Sequence, residues 1–265
     1  MLSIQKFKKV ENLEEAWELN QKRNNRIIGG MMWMRLGDTK IQTAIDLSGL
    51  GLNTIEETDE EFKIGCMTSL RQLETHEGLH AYTEGTLKEA LRHIVGVQFR
   101  NLATVGGSLY GRYGFSDVLT LFLALDSYVE LYKGGIMPLK DYAKKEKDND
   151  ILVHLIVKKR PVHMYYEAVR ITETDLPVLT CCGTYDEEKG YQISIGARPG
   201  RAVLVEDEEG ILNEEMTKDV IDAFSAYAKE HVITRSNMRG SKEYRSHLVG
   251  VLCQRALVAL TEKRG

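Results

Sequence analysis

The chain has 265 residues, 43% of them hydrophobic and 28% charged, which excludes a disordered chain, a collagen-like repeat and a coiled-coil rod. Acidic side chains (39) outnumber basic ones (35), so the net charge of −4 lacks the basic excess expected of a chain that wraps nucleic acid or lies on anionic lipid. The richest apolar run, Val118 to Leu125, stops at Asp126, far short of the ~20 residues of a membrane helix, and the charged opening MLSIQKFKKVENLEEAW is unlike a signal peptide. A soluble, cytoplasmic chain is the expectation.

The pattern predicts a strand over Ser3–Phe7, a helix over Leu13–Asn20, a β-branched strand at Arg26–Ile28 ending in Gly29-Gly30, and a strand over Ile41–Leu47, which makes a small α/β unit. A second region begins near Thr54. It holds a strand at Phe62–Ile64, a helix over Leu87–Val95, a helix over Val118–Leu125 capped by Ser116-Asp117, and a hairpin from Val129–Tyr132 to Ile136-Met137. The charged stretch Lys140–Asp150 reads as a solvated connection before a strand at Ile151–Val157. A boundary is expected at Arg160-Pro161. Beyond it come strands at Val178–Tyr185 and Tyr191–Ile195, an acidic loop at Glu206–Gly210, and helices over Asn213–Lys229 and Lys242–Glu262.

Of the four cysteines, Cys66, Cys181, Cys182 and Cys253, no pair has C-x-x-C spacing, and adjacent Cys181 and Cys182 point to opposite faces of a strand. Buried apolar roles are expected for them, and the chain offers no spacing that holds an iron–sulfur cluster. Two glycine pairs each follow a β-branched stretch, at Ile27-Ile28-Gly29-Gly30-Met31-Met32-Trp33-Met34 and at Thr104-Val105-Gly106-Gly107-Ser108. Glycine lets backbone N–H groups approach a ligand, and a run of such groups forms a nest for phosphate oxygens. Two nests could grip a pyrophosphate from both sides, with Asp117 taking a ribose or ribityl hydroxyl. G-x-G-x-x-G is absent, and Gly106 to Gly111 has P-loop spacing but Arg112 and Tyr113 where Lys and Ser or Thr must stand, so Rossmann and ATPase readings fail.

Arg100-Asn101-Leu102-Ala103-Thr104-Val105-Gly106-Gly107-Ser108, continuing to Ser116-Asp117-Val118-Leu119, resembles the R-N-x-A-T-x-G-G-N and P-x-S-D-L of the flavin-binding subunit or domain of molybdenum hydroxylases, such as xanthine and carbon monoxide dehydrogenases. The first glycine loop is similar to that family's A-G-G-T-D-L, Ile45-Asp46-Leu47 to its I-D-L, and Ile64-Gly65-Cys66-Met67-Thr68-Ser69-Leu70 to its I-G-A-x-T-T-L. Near the end, Arg239-Gly240-Ser241 with Tyr244-Arg245, then Arg255-Ala256-Leu257, resemble R-G-S-x-x-Y-R and R-A-L. The resemblance implies an α+β fold: a two-part FAD-binding domain over 1–160 (parts about 1–53 and 54–160), followed by a smaller α+β C-terminal domain over 161–265.

It also implies FAD lying between the two parts, with Ile27, Ile28, Gly29, Gly30, Met31, Met32, Trp33 and Met34 on one side. Thr104, Gly106, Gly107, Ser108 and Asp117 would form the other wall, and Leu152 would sit near the ring system. The activity implied is an FAD-dependent oxidoreductase subunit in electron transfer, inactive without partners. Those partners are a large molybdenum-cofactor subunit and a small two-iron two-sulfur subunit, with NAD or another acceptor receiving the electrons. No residue of the chain itself is then catalytic. Met31-Met32, Ser108 and Gly114 depart from the family pattern, which places flavin affinity in question.

Two alternatives compete. His76-Glu77-Gly78-Leu79-His80 matches H-E-x-x-H, which on a helix would hold zinc with Glu77 as general base, although Gly78 disfavours the helix and no third ligand is marked out. A flavin-free interaction subunit of the same fold is the other, with Met31-Met32 in its favour. Tyr110, Arg112 and Tyr113 follow the second glycine pair, where a ring could flank a flavin and Arg112 could offset phosphate charge.

Overall fold

The structure, a computed structural model, describes residues 1–212 and 215–264. In the first part, strands β1 (Ser3–Lys9), β2 (Asn25–Ile28) and β3 (Lys40–Asp46) form a parallel sheet in the order β1-β3-β2, with helix α1 (Leu13–Asn20) between the first two. Asn12 starts α1: its side-chain oxygen accepts from the Glu15 N–H at 2.8 Å, satisfying a donor that has no partner within the helix.

The second part holds a five-stranded antiparallel sheet. Its strands are β4 (Ile55–Glu57), β5 (Glu61–Gly65), β6 (Ser127–Leu131), β7 (Gly135–Pro138) and β8 (Leu152–Lys158), in the order β4-β5-β8-β6-β7. Seven short helices pack around it: α2 (Leu70–Thr75), α3 (Glu77–Tyr82), α4 (Thr86–Arg92), α5 (Val97–Leu102), α6 (Val105–Gly111), α7 (Asp117–Ala124) and α8 (Leu139–Lys144). One hydrophobic core runs from Val10 and Ala16 through Phe62, Leu91 and Phe122 to Leu155, joining both parts.

Beyond residue 160, β9 (His163–Val169), β10 (Leu179–Asp186), β11 (Gly190–Gly196) and β12 (Val203–Val205) form an antiparallel sheet in the order β12-β11-β10-β9. Helices α9 (Lys218–His231) and α10 (Lys242–Arg264) cover one face and build a second core. Cys181 faces this second core while neighbouring Cys182 faces the first, as strand alternation requires, and all four cysteines are buried thiols. Among the described residues no helix is long and apolar enough to cross a membrane.

Three expectations need correction. The helix expected over Leu87–Val95 ends at Arg92, and Val95 has φ +53, a backbone state a β-branched residue rarely adopts. The stretch expected to be a solvated connection contains α8, whose Tyr142 and Ala143 are buried between charged neighbours. The helix expected from Asn213 begins at Lys218, capped by Thr217; Asn213 itself lies outside the described residues.

Candidate functional site

A cleft of about 330 Å³ opens between the parallel sheet, the second part and the end of β9. Ile27, Gly29, Gly30, Met31, Met32, Trp33 and Met34 line it from one side, and Thr104, Gly106, Gly107, Ser108, Asp117 and Leu152 from the others. Ile28 is the one expected site residue off this lining. Its side chain is 8% exposed in a small core with Ile41 and Ala44, so it supports the loop from beneath.

The two glycine pairs do different work. From Gly29 to Trp33, five consecutive backbone N–H groups find no acceptor among the described residues. Met31, in the middle, has φ +57, a left-handed state that costs a non-glycine residue about 1–2 kcal/mol. A row of unspent donors bent through such a residue is what an anion nest requires. The second pair is not a loop after a strand. It lies in the first turn of α6, and its donors are spent: Gly106 N–H on the Cys66 carbonyl at 2.8 Å, Gly107 N–H on Thr104 Oγ1 at 3.1 Å, Ser108 N–H on the Thr104 carbonyl at 3.0 Å.

Glycine is required in the first pair because the two segments touch. A Cβ on Gly30 would lie 1.7 Å from the Leu102 carbonyl oxygen, and one on Gly29 would lie 2.6 Å from Thr104 Oγ1. Leu102–Thr104 is in turn anchored by a capping box at Ser69 and Gln72, the Leu70 N–H on the Ala103 carbonyl (2.8 Å) and a buried ion pair. In that pair Arg100, 4% exposed, donates to both Glu74 oxygens at 2.8 and 3.1 Å and to the Ile94 carbonyl at 3.1 Å.

Asp117 begins α7 at the floor of the cleft, 4% exposed. Its Oδ1 accepts from Tyr166 Oη at 2.5 Å and from Arg170 Nη2 at 2.6 Å, both from β9 or its end. Burial pushes this carboxyl above its ordinary range against the pull of Arg170 and Tyr166. A ligand hydroxyl would therefore have to use the other oxygen. Aromatic rings continue the wall: Trp33 lies 4.7 Å from Phe115, 6.3 Å from Tyr113 and 6.4 Å from Phe99, and Tyr113 stacks on Phe115 at 5.2 Å.

Sequence reasoning missed Asn20, Ile94, Phe99, Lys147 and Arg170 as lining residues. The R-N that opens the second motif could have pointed to the segment of Ile94 and Phe99. Nothing local marks Arg170, which meets Asp117 across 53 positions of chain.

The H-E-x-x-H stretch has the wrong geometry for zinc. His76 interrupts the helix between α2 and α3 in an extended conformation, and its Nδ1 accepts from the Leu79 N–H at 3.1 Å, so the two imidazoles do not share one helical face. His80 lies instead beside Gly85. Among the described residues no group of three His, Cys, Asp or Glu side chains could hold a metal.

The model of the FAD binding domain in molybdopterin dehydrogenase matches residues 3–159, and that of the CO dehydrogenase flavoprotein C-terminal domain matches residues 165–260. The chain is 24% identical over 253 residues to the uncharacterized protein YgfM of Escherichia coli K12, covering 94% of this chain and 93% of that one. It is 25% identical over 268 residues to the nicotine 6-hydroxylase medium subunit of Paenarthrobacter nicotinovorans, covering 93% and 94%. Among solved structures it resembles a chain of carbon monoxide dehydrogenase from Hydrogenophaga pseudoflava (TM-score 0.85, 21% identity, 97% of each chain). It also resembles one of quinoline 2-oxidoreductase from Pseudomonas putida 86 (TM-score 0.82, 18% identity, 98% of each chain).

Proposed function

Since the chain belongs to the family of FAD binding domains in molybdopterin dehydrogenases, with FAD as its cofactor, we propose that it is the electron-transfer subunit of a multi-subunit molybdenum hydroxylase. In this reading electrons arrive from two-iron two-sulfur clusters of a small partner subunit, after a large molybdenum-cofactor subunit has oxidised the substrate, and leave to NAD or another acceptor. FAD supplies the redox chemistry when bound; the protein's part is to bind, orient and shield it. The whole-length similarity to a nicotine 6-hydroxylase medium subunit supports the same assembly.

The observation that carries the reading is the row of unspent N–H donors from Gly29 to Trp33, all five residues lining the one cleft. These groups would hold the pyrophosphate, while α6, from Thr104 to Ser108, forms the wall against which their loop is braced. Asp117 would orient a ribityl or ribose hydroxyl. Leu152, 5% exposed, and the rings of Trp33, Tyr113 and Phe115 would exclude water from the flat parts of the ligand. Glu167 lies off the cleft lining, where it pairs with Arg255 at 2.5 Å and accepts from Tyr165. The division into a flavin domain ending near residue 160 and a C-terminal domain from about 161 belongs to the same proposal.

A visible absorption spectrum of the purified chain, with the flavin identified after denaturation, tests this. Flavin bands and released FAD are expected. A colourless chain that takes up no added FAD would sink the reading and leave a flavin-free interaction subunit in its place.

A further inference from the structure

A second electrostatic feature lies at the flank of the cleft, built from residues that none of the family motifs contains. Arg112 ends α6 in a left-handed conformation (φ +47) and turns its guanidinium inward, 4% exposed, over the ring of Tyr142 at 4.1 Å. Its Nη1 donates to the Lys145 carbonyl, but Nε and Nη2 have no partner, and no carboxylate pairs with it among the described residues. Arg201 reaches the same turn, donating through Nη1 to the Ala143 and Lys145 carbonyls at 3.1 and 2.9 Å. Lys147 follows this turn by two residues; its ammonium makes no ion pair or hydrogen bond among the described residues and lies 5.9 and 6.0 Å from the ring centres of Tyr110 and Tyr113. Burial, Arg112 and Arg201 together lower its pKa, the sign of one cation held beside two others. The adjacent carboxylate, Asp148, pairs with Lys145 at 2.6 Å and feels the charge of Arg112 as well.

A buried arginine with no carboxylate hydrogen-bonded to it adds positive charge to this flank of the cleft, where an anion is favoured. Arg112 cannot reach that anion itself, being enclosed, whereas Lys147, Tyr110 and Tyr113 all line the cleft. Accepting the FAD reading above, we propose that Lys147 is a phosphate-binding residue of the cleft, pairing with the dinucleotide's phosphate charge while Arg112 and Arg201 sustain the positive field from behind. This moves the charge that offsets the phosphate from Arg112 to Lys147, which then acts beside the Gly29–Trp33 donors in separating a phosphorylated flavin from riboflavin.

The test titrates flavin-free full-length protein with FAD and, separately, with riboflavin, following flavin fluorescence at two salt concentrations. Lys147 is exposed, so Lys147→Gln should fold normally. FAD is expected to bind about tenfold more weakly to Lys147→Gln, with a shallower salt dependence, while riboflavin binding stays unchanged and Lys147→Arg restores FAD. Equal FAD affinity in wild type and Lys147→Gln would overturn the inference and leave the FAD reading standing. An equal loss for riboflavin would overturn it too, by assigning Lys147 to ring packing over Tyr110 and Tyr113. A wild-type chain that binds neither flavin would instead defeat the FAD reading itself.

Discussion

Gly30 and Gly107 look alike in the sequence, each the second glycine of a pair, but their surroundings set opposite tolerances. A methyl group on Gly30 would meet the Leu102 carbonyl oxygen at 1.7 Å, a backbone atom fixed by the Ser69 capping box and the Arg100–Glu74 pair behind it. On Gly107 it would meet only Thr104 Oγ1, at 3.1 Å, and a side-chain hydroxyl can move by a few tenths of an ångström. Gly30→Ala should therefore push the two segments apart and lower stability by about 3 kcal/mol, within the range of severe steric substitutions, with loss of bound flavin. Gly107→Ala should cost under about 1 kcal/mol, because it sits in the first turn of a helix where alanine is favoured. Thermal melts with flavin content measured on the same samples separate the two; similar losses for both would mean the segments are not in contact as described.

At the scale of elements, α5 and α2 are held together by charge where apolar packing is thin. α5 buries a single side chain, Arg100, and that one side chain engages Glu74 at the end of α2, with Arg71 adding a third charge at 2.9 Å. Burial alone would raise the Glu74 carboxyl, but the hydrogen bonds and charges of Arg100 and Arg71 hold it below its ordinary 4.5. A carboxyl depressed in the folded state adds stability that is complete above its unfolded value and is lost as the pH falls through the folded one. Glu74→Gln leaves the Arg100 guanidinium buried and unpaired, a loss of about 3 kcal/mol at pH 7. The gap between wild type and variant should close as the pH drops below 4.5, and melting temperatures measured from pH 7 to pH 3 will show it. A constant gap across that range would mean the charge of Glu74 contributes nothing.

These elements also show what the sequence made legible. α1 and β3 were readable from their apolar pattern alone, and α7 from its apolar run together with the cap at Ser116, whose Oγ accepts from the Leu119 N–H at 3.1 Å. α8 was not, because six residues give one turn and a half, too few for a period to emerge from KDYAKK. In the site, the glycine pairs were readable as chemistry, but the division of labour between them was not. Whether an N–H is spent depends on Cys66 and Thr68, which approach α6 from 38 residues or so earlier in the chain.

At the scale of the whole molecule, α7 joins the first core to the C-terminal sheet. All eight of its residues are buried, six of them apolar, so the helix must be covered on every side. One side belongs to the first core through Leu119 and Phe122, and the other meets the C-terminal sheet. There Thr120 Oγ1 lies 3.1 Å from Thr180 Oγ1, Ser194 Oγ donates to the Thr120 carbonyl at 2.6 Å, and Thr184 Oγ1 donates to the Ala124 carbonyl at 2.6 Å. The Ala124 carbonyl ends the helix and has no partner within it, so losing the second sheet would leave that buried acceptor bare at about 1–3 kcal/mol. Asp117 adds a further tie, through Arg170 and Tyr166, at the site itself. A seam of this kind couples the two domains, and the full chain should unfold in one calorimetric transition although two family models divide it. Gly196 is the place to probe the coupling, since a side chain there would meet Thr120 Oγ1 at 2.0 Å. Gly196→Val should lower that single transition as a whole. If it splits the melt in two, with one part keeping the wild-type midpoint, the domains are independent and α7 is covered by the first core alone.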